Sequence, residues 1–276
     1  MKVIWKTIGY MMLMVTMVVL VFSSGAFSVM LYGKITGNDW RFFANDSAAA
    51  SDVAFAESSG PLPTAPIILP EPTPVPIKKS VMLDAPQIMQ LPELPVGCEV
   101  TSLAMLLQYA GIQKDKMALA KEVKKDTTSL KKNSNGDIVY WGNPNNGFVG
   151  DINGKMKGFG VYHAPVFELL AKYIPSAVDM TGSSFDEIER KLSENTPVIA
   201  WTTTYYGLPR NWVEWDTPTG AVRTTFSEHA IVVVGYDDTS VYVNDPRKPS
   251  AKFKVDKKTF IDTWVAMGQQ AISYTK

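Results

Sequence analysis

The chain holds one cysteine, Cys98, and two histidines, His163 and His229. A thiol and an imidazole are the pair that nucleophilic acyl chemistry asks for. The thiolate attacks a carbonyl carbon, and the imidazole takes the thiol proton and later returns it to the leaving group. Cys98 stands in "LPELPVGCEVTSLAMLLQYAG", residues 91–111. Pro95-Val96-Gly97 is turn material, while Leu103, Ala104, Leu106, Leu107 and Ala110 recur at helical spacing and Gly111 supplies a stop. Cys98 thus falls in the first turn of a helix, where unpaired N–H groups and the helix dipole favour a thiolate. The competing reading is a buried structural thiol, the usual fate of a free cysteine. Its place at the end of the apolar stripe, and not within it, favours a nucleophile.

His229 opens "EHAIVVVGYDDTSVYVNDP", two apolar runs around an Asp-Asp-Thr turn, which reads as a β-hairpin. An ordinary core strand has little use for an imidazole. His163, in "GVYHAPV", reads as a loop histidine. With a three-residue turn at Asp237 to Thr239, Tyr236 pairs with Ser240 and His229 faces Arg247. Asp245, two places back, then shares the face of His229, because side chains alternate along a strand. A carboxylate there fixes the imidazole tautomer and stabilises the imidazolium. A two-residue turn would put Asp245 on the other face. Asp237 and Asp238 sit at the hairpin tip and read as structural. Acyl transfer also needs donors for the developing oxyanion. The Cys98 backbone N–H is one, and a side-chain amide just upstream is the other, with Gln90 nearer than Gln87.

Other chemistries are poorly supplied. Two histidines and one cysteine leave little for a zinc site. No phosphate-cradling glycine motif occurs, and no metal or organic cofactor is implied. Lys+Arg and Asp+Glu both number 27, so the basic footprint of a nucleic-acid binder is missing. Trp201, Trp212 and Trp215, on or just after a predicted strand, read as core or loop anchors.

Three materials make up the 276 residues. In residues 1–33, the uncharged run from Thr7 to Gly33 follows Lys2 and Lys6 and exceeds the roughly 30 Å of a bilayer's hydrocarbon. It reads as a membrane anchor or signal peptide. The anchor is favoured because apolar residues resume at Phe27 after the small-residue exit at Ser24-Gly25-Ala26. Either way the rest of the chain is extracytoplasmic, where a lone cysteine is an oxidation risk without the benefit of a bridge. Residues 34–78, with proline at every second or third place from Pro61, read as a disordered Pro-rich spacer. Residues 79–276 form the working domain.

Within it, Asp115 to Lys125 reads as a second, lysine-rich helix. Asn133 to Gly160 reads as a long Asn/Gly-rich loop, and a short helix follows at Pro165 to Tyr173. Ser184 and Glu187 spell a capping box for a helix to Glu194. "PVIAWTTTY" reads as a strand, Asp256 to Met267 as a last helix and "QQAISYT" as a last strand. One leading helix followed by antiparallel strands is α+β.

The stretches "DAPQIMQLPELPVGCEVTSLAMLLQYAG", "NPNNGFVGDINGKMKGFGVYHAPVFELL", "PVIAWTT" and "EHAIVVVGYDDTSVYVNDP" together resemble papain-like cysteine peptidases akin to the bacteriocin-processing, double-glycine-leader peptidases. They are most similar to the stand-alone, exported bacterial branch. The Gly-Cys-Glu helix start and the His…Asn-Asp-Pro hairpin are the specific parts. The resemblance implies a papain-like fold and a peptide or protein substrate. It also implies Cys98 as nucleophile, His229 as base, Asp245 as orienter and Gln90 as oxyanion donor. No transporter domain is attached, so a leader-peptide substrate does not carry over. The Gln90-to-Cys98 spacing is also longer than in the transporter-linked enzymes. Two other readings share these residues: a wall amidase or transpeptidase with the same triad, and a binding domain without turnover.

Overall fold

The computed structural model describes residues 76–276. The expected anchor or signal segment at 1–33 and nearly all of the spacer at 34–78 lie outside the described residues. Among the described residues no helix is long and apolar enough to cross a membrane.

A lead-in strand, β1 (Val81–Met82), precedes α1 (Cys98–Tyr109), which Gly111 ends in the left-handed region at φ +87°. Every residue of α1 from Cys98 to Leu107 is buried, so this helix is core on all sides. The second helix, α2 (Lys116–Glu122), is shorter than expected. Asp115 caps it by accepting from the N–H groups of Met117 and Ala118.

The expected long loop is a correction. After β2 (Lys125–Asp126) and β3 (Lys131–Lys132), the Asn/Gly-rich stretch carries β4 (Ile138–Tyr140), β5 (Phe148–Gly150) and β6 (Gly158–Gly160). Its apolar residues explain this. Trp141, Val149 and Phe159 pack with Trp215 and Val222 into a second, smaller core. The Trp215 indole also donates to the Gly142 carbonyl at 2.9 Å.

The chain continues through α3 (His163–Tyr173), β7 (Ala177–Asp179) and α4 (Phe185–Ser193). Ser184 precedes α4 in extended conformation, yet its side chain makes no capping bond. Glu187 turns instead to Arg190, 3.3 Å away, so the expected capping box does not form. Then follow β8 (Val198–Thr203), β9 (Val213–Thr217), β10 (Gly220–Thr224), β11 (Glu228–Tyr236), β12 (Ser240–Asn244), β13 (Phe253–Asp256), α5 (Lys257–Ala266) and β14 (Ala271–Tyr274).

The large sheet runs β13-β12-β11-β8-β14-β7, with β1 added to the far end of β11, and every pairing in it is antiparallel. α1 lies against β11, where the Ser102 hydroxyl donates to the Ala230 carbonyl at 3.1 Å. The class is mixed helix and sheet, with the nucleophile candidate at one end of the buried helix and the base candidate on the strand beside it. Trp201 and Trp215 are core residues, as expected of anchors. Trp212 is exposed beneath the Arg223 guanidinium, 4.3 Å from its ring.

Candidate active site

His229 and Asp245 meet because β11 and β12 run antiparallel. His229 Nε2 lies 2.7 Å from Asp245 Oδ1, with both side chains only 1% exposed. The pairing at the hairpin tip differs from expectation: Tyr236 pairs with Val241 and Gly235 with Tyr242. Val234 is then an extra residue, a β-bulge, after which Val233 pairs with Val243 and Val232 with Asn244. The bulge restores the alignment that puts Asp245 on the face of His229.

Asp245 also accepts from the Tyr206 hydroxyl at Oδ2, 2.7 Å, and from the Arg247 N–H at Oδ1, 2.8 Å. Burial works to raise its pKa, but His229, Tyr206 and Arg247 together bring it down to about 2. Asp245 is therefore a carboxylate at neutral pH, and it accepts from the imidazole Nε2–H. In an imidazole that carries its proton on Nε2, Nδ1 is the nitrogen able to receive another.

Cys98 sits where α1 meets β11 and is 6% exposed. Among the described residues no hydrogen bond joins its thiol to His229. The groups that act on the sulfur are the neighbours of His229 on β11, Glu228 and Ala230, together with Glu99. Burial pushes the thiol well above its ordinary range, Glu99 and Glu228 push it the same way, and the Ala230 amide opposes them. The expectation of a thiol lowered by the helix mouth is thus corrected. Burial is the largest cause of the upward shift, with the two carboxyl groups adding to it.

Glu99 directly follows the cysteine and Glu228 directly precedes the histidine, and both are buried. The Cys98 sulfur and one oxygen from each carboxyl lie within 4.8 Å of one another. Glu99 Oε1 accepts the Val161 N–H at 2.7 Å, whereas Glu99 Oε2 and Glu228 Oε1 have no hydrogen-bond partner. Burial raises both carboxyl groups, and the charge of Glu99 raises Glu228 further. Two carboxylates this close and this dry cannot both ionise. Glu228 is pushed up the further of the two, whereas the N–H groups that Glu99 accepts from oppose its rise and leave it at about 7. Gly160 makes room for the pair. Its φ is +135°, and a Cβ there would collide with Glu99 Oε1 and lie 3.1 Å from Glu228 Oε2. The thiol and two carboxyls are also a donor set that suits a zinc-like cation, a possibility that counting only histidine and cysteine overlooks.

The two upstream glutamines are already engaged. Gln90 is buried, and its amide nitrogen donates to the carbonyls of Leu94 (3.1 Å) and Pro95 (2.9 Å). It shapes the turn that delivers Cys98, and neither hydrogen is left over for an oxyanion. The Gln87 amide donates to the backbone of Asp245 (2.7 Å) and Lys248 (2.6 Å), so it braces the loop that carries the aspartate. His163 opens α3 and pairs through Nδ1 with Asp179 at 2.9 Å. Asp179 lies on β7, three strands from β11 in the sheet, so the second histidine belongs to a different place.

Residues 82–272 match the family described as Peptidase_C39 like. The chain belongs to this family. An uncharacterized relative, YvpB of Bacillus subtilis (strain 168), is 40% identical over 190 residues, which are 68% of this chain and 72% of the relative. The crystal structure of a candidate C39-like peptidase from Bacillus anthracis is 46% identical with a TM-score of 0.66, covering 72% of this chain and 98% of that one. The C39-like fold is therefore shared at the level of structure as well as sequence.

Three residues of the site were not singled out by sequence reasoning. Glu99 and Glu228 did carry a signal, since each is an acid set into an otherwise apolar run beside the chemical residue. Tyr206 carried none. Its hydroxyl reaches Asp245 only because the residue takes φ +57° just past β8, and it is held there by stacking on Phe253, with ring centroids 5.7 Å apart.

Proposed function

We propose that this domain is a cysteine peptidase working outside the cytoplasm, with Cys98 as nucleophile, His229 as base and Asp245 as the group that orients the imidazole. The observation that carries this reading is the buried His229–Asp245 pair, with its carboxylate secured by three donors, on the strand against which Cys98 packs. Membership of a peptidase-like family supports it.

The chemistry follows from the protonation states. The resting thiol is neutral, so His229 Nδ1 takes its proton as the sulfur attacks the carbonyl carbon of a peptide bond. Asp245 stabilises the imidazolium that forms. The oxyanion faces the first turn of α1, whose leading N–H groups have no acceptor within the helix. With Gln90 committed to its turn, the Cys98 N–H is the donor the helix itself supplies. Collapse of the tetrahedral intermediate breaks the C–N bond, His229 protonates the departing amine, and a thioester remains. Water, deprotonated by His229, then releases the acid and restores the thiol.

The raised thiol favours one rival, a peptide-binding domain that keeps the fold without turnover. Alkylation separates them. Iodoacetamide should react slowly at pH 7 and faster only above the free-cysteine value of about 8.5. A peptide electrophile should react much faster at pH 7, because occupancy of the site brings the base into play. Loss of that acceleration in His229→Ala, with the thermal transition intact, supports the peptidase. Equal, slow reaction of both reagents sinks it. The extracytoplasmic part has its own check: protease added to intact cells should degrade residues 79–276 while the amino-terminal segment stays with the membrane.

A further inference from the structure

Beside the His229–Asp245 pair the surface opens into a cavity of about 430 Å³. It shares backbone with the site. Ser227 on its wall directly precedes Glu228 and His229, Arg247 donates its N–H to Asp245, and Thr204 and Tyr205 follow the strand whose Thr202 pairs with His229. Two arginines, Arg210 and Arg247, are among the residues that line it, and no acidic residue is. Neither arginine side chain has an ion-pair partner among the described residues. Arg210 lies over the Tyr205 ring at 5.7 Å, and its N–H donates to the Tyr205 hydroxyl at 3.0 Å, so the residue is held to the wall. Phe226, 42% exposed, adds an apolar surface.

Guanidinium groups clustered without counter-charge at the mouth of a peptide site are complementary to a carboxylate, which they can hold in two-pronged fashion. The apolar wall suits the methylene stem or the neighbour of such a group. We propose that this cavity is a substrate subsite for a carboxylate, so that the peptides this protein takes carry an acidic residue, or their carboxy terminus, next to the scissile bond. The proposal rests on the peptidase reading only for the word scissile; the binding itself does not need turnover.

The test uses the full-length Cys98→Ala protein and fluorescent hexapeptides in which one Glu or one Gln is walked through each position, with free or amidated carboxy termini. Anisotropy should show one position at which Glu binds about tenfold more tightly than Gln, the effect of a charge-assisted contact. The advantage should shrink as salt rises and vanish in the Arg210→Gln, Arg247→Gln double variant with an unchanged thermal transition. Should that variant fail to fold, the salt dependence in the unmutated arginine background decides. An advantage of the free over the amidated terminus assigns the subsite to the chain end; its absence, with a Glu preference, assigns it to a side chain. Equal binding of Glu and Gln peptides at every position and of both termini, or a preference that survives the double variant, overturns the proposal. Tight, arginine-dependent binding with no cleavage by the wild-type protein would leave the subsite standing and remove the peptidase. Cleavage without any preference for a carboxylate would do the reverse.

Discussion

At the scale of single residues, the site is a balance between one stabilised carboxylate and two that are held back. Asp245→Asn keeps the shape but offers the imidazole an amide. The tautomer is no longer fixed, and turnover should fall on the order of 10³- to 10⁴-fold. Tyr206→Phe removes one donor of three, so its cost should be nearer tenfold, with the acid limb of the pH–rate profile moved upward as the Asp245 pKa rises. His163→Ala should leave both kcat and that limb in place. The glutamate pair makes a prediction of opposite sign. Glu228 has its folded pKa raised, so its contribution is harmless below the unfolded value of about 4.3 and turns unfavourable as pH rises above it. Glu228→Gln should therefore gain stability relative to wild type by about 1.4 kcal/mol per pH unit at the steepest, starting near pH 5 and levelling off at the folded pKa. Urea melts at pH 4, 6 and 8 measure this; a constant difference across the series would show that no proton is held. Above the folded pKa of Glu228, where the wild-type carboxyl is charged, the same substitution should also lower the Cys98 pKa and speed its alkylation. Sequence made Cys98, His229 and Asp245 visible as candidates, because each breaks the pattern around it. It could not show which way the Gln90 amide points, since proximity along a chain says nothing of direction.

At the scale of elements, the sequence revealed type better than detail. The buried helix from Cys98, the strand from Val198 and the hairpin around Asp237 are long and strongly patterned, so periodicity suffices. The bulge at Val234 was hidden, because its cause is non-local. Gly235 must let β1 approach, and a Cβ there would meet the Val81 carbonyl at 2.5 Å. The Asn/Gly-rich stretch misled for a similar reason. Its composition is that of turns, while the Trp141 and Phe159 that fix it find their partners on β9 and β10. Strand β6 ties this region to the junction of Glu99 and Glu228 through Gly160. Gly160→Ala should cost about 3 kcal/mol or more, combining left-handed strain with an overpacked contact. Because the displaced atoms belong to Glu99 and Glu228, it should also change the Cys98 alkylation rate. A variant with full thermal stability and wild-type labelling would show that the carboxyls have room to spare.

For the whole molecule, one sheet order matters most. β14 lies between β8 and β7, and all four of its residues are buried. Removing residues 271–276 should therefore abolish the cooperative transition, with far-UV circular dichroism and urea titration as the measures, whereas a cut at an outer strand would only weaken it. The neutral overall charge, readable from composition alone, says nothing of this, since the order of strands is a property of the fold. It does bear on how the protein is made. While the chain is being synthesised, β8 and β7 are complete long before the strand that must join them. Every nascent chain shorter than residue 271 then carries two unpaired edges and a sheet that cannot close. Cys98 is translated first of the candidate site residues, and the last piece of the scaffold that holds it comes more than 170 residues later. Under the extracytoplasmic function proposed above, an export machinery that needs an unfolded passenger would thus receive one.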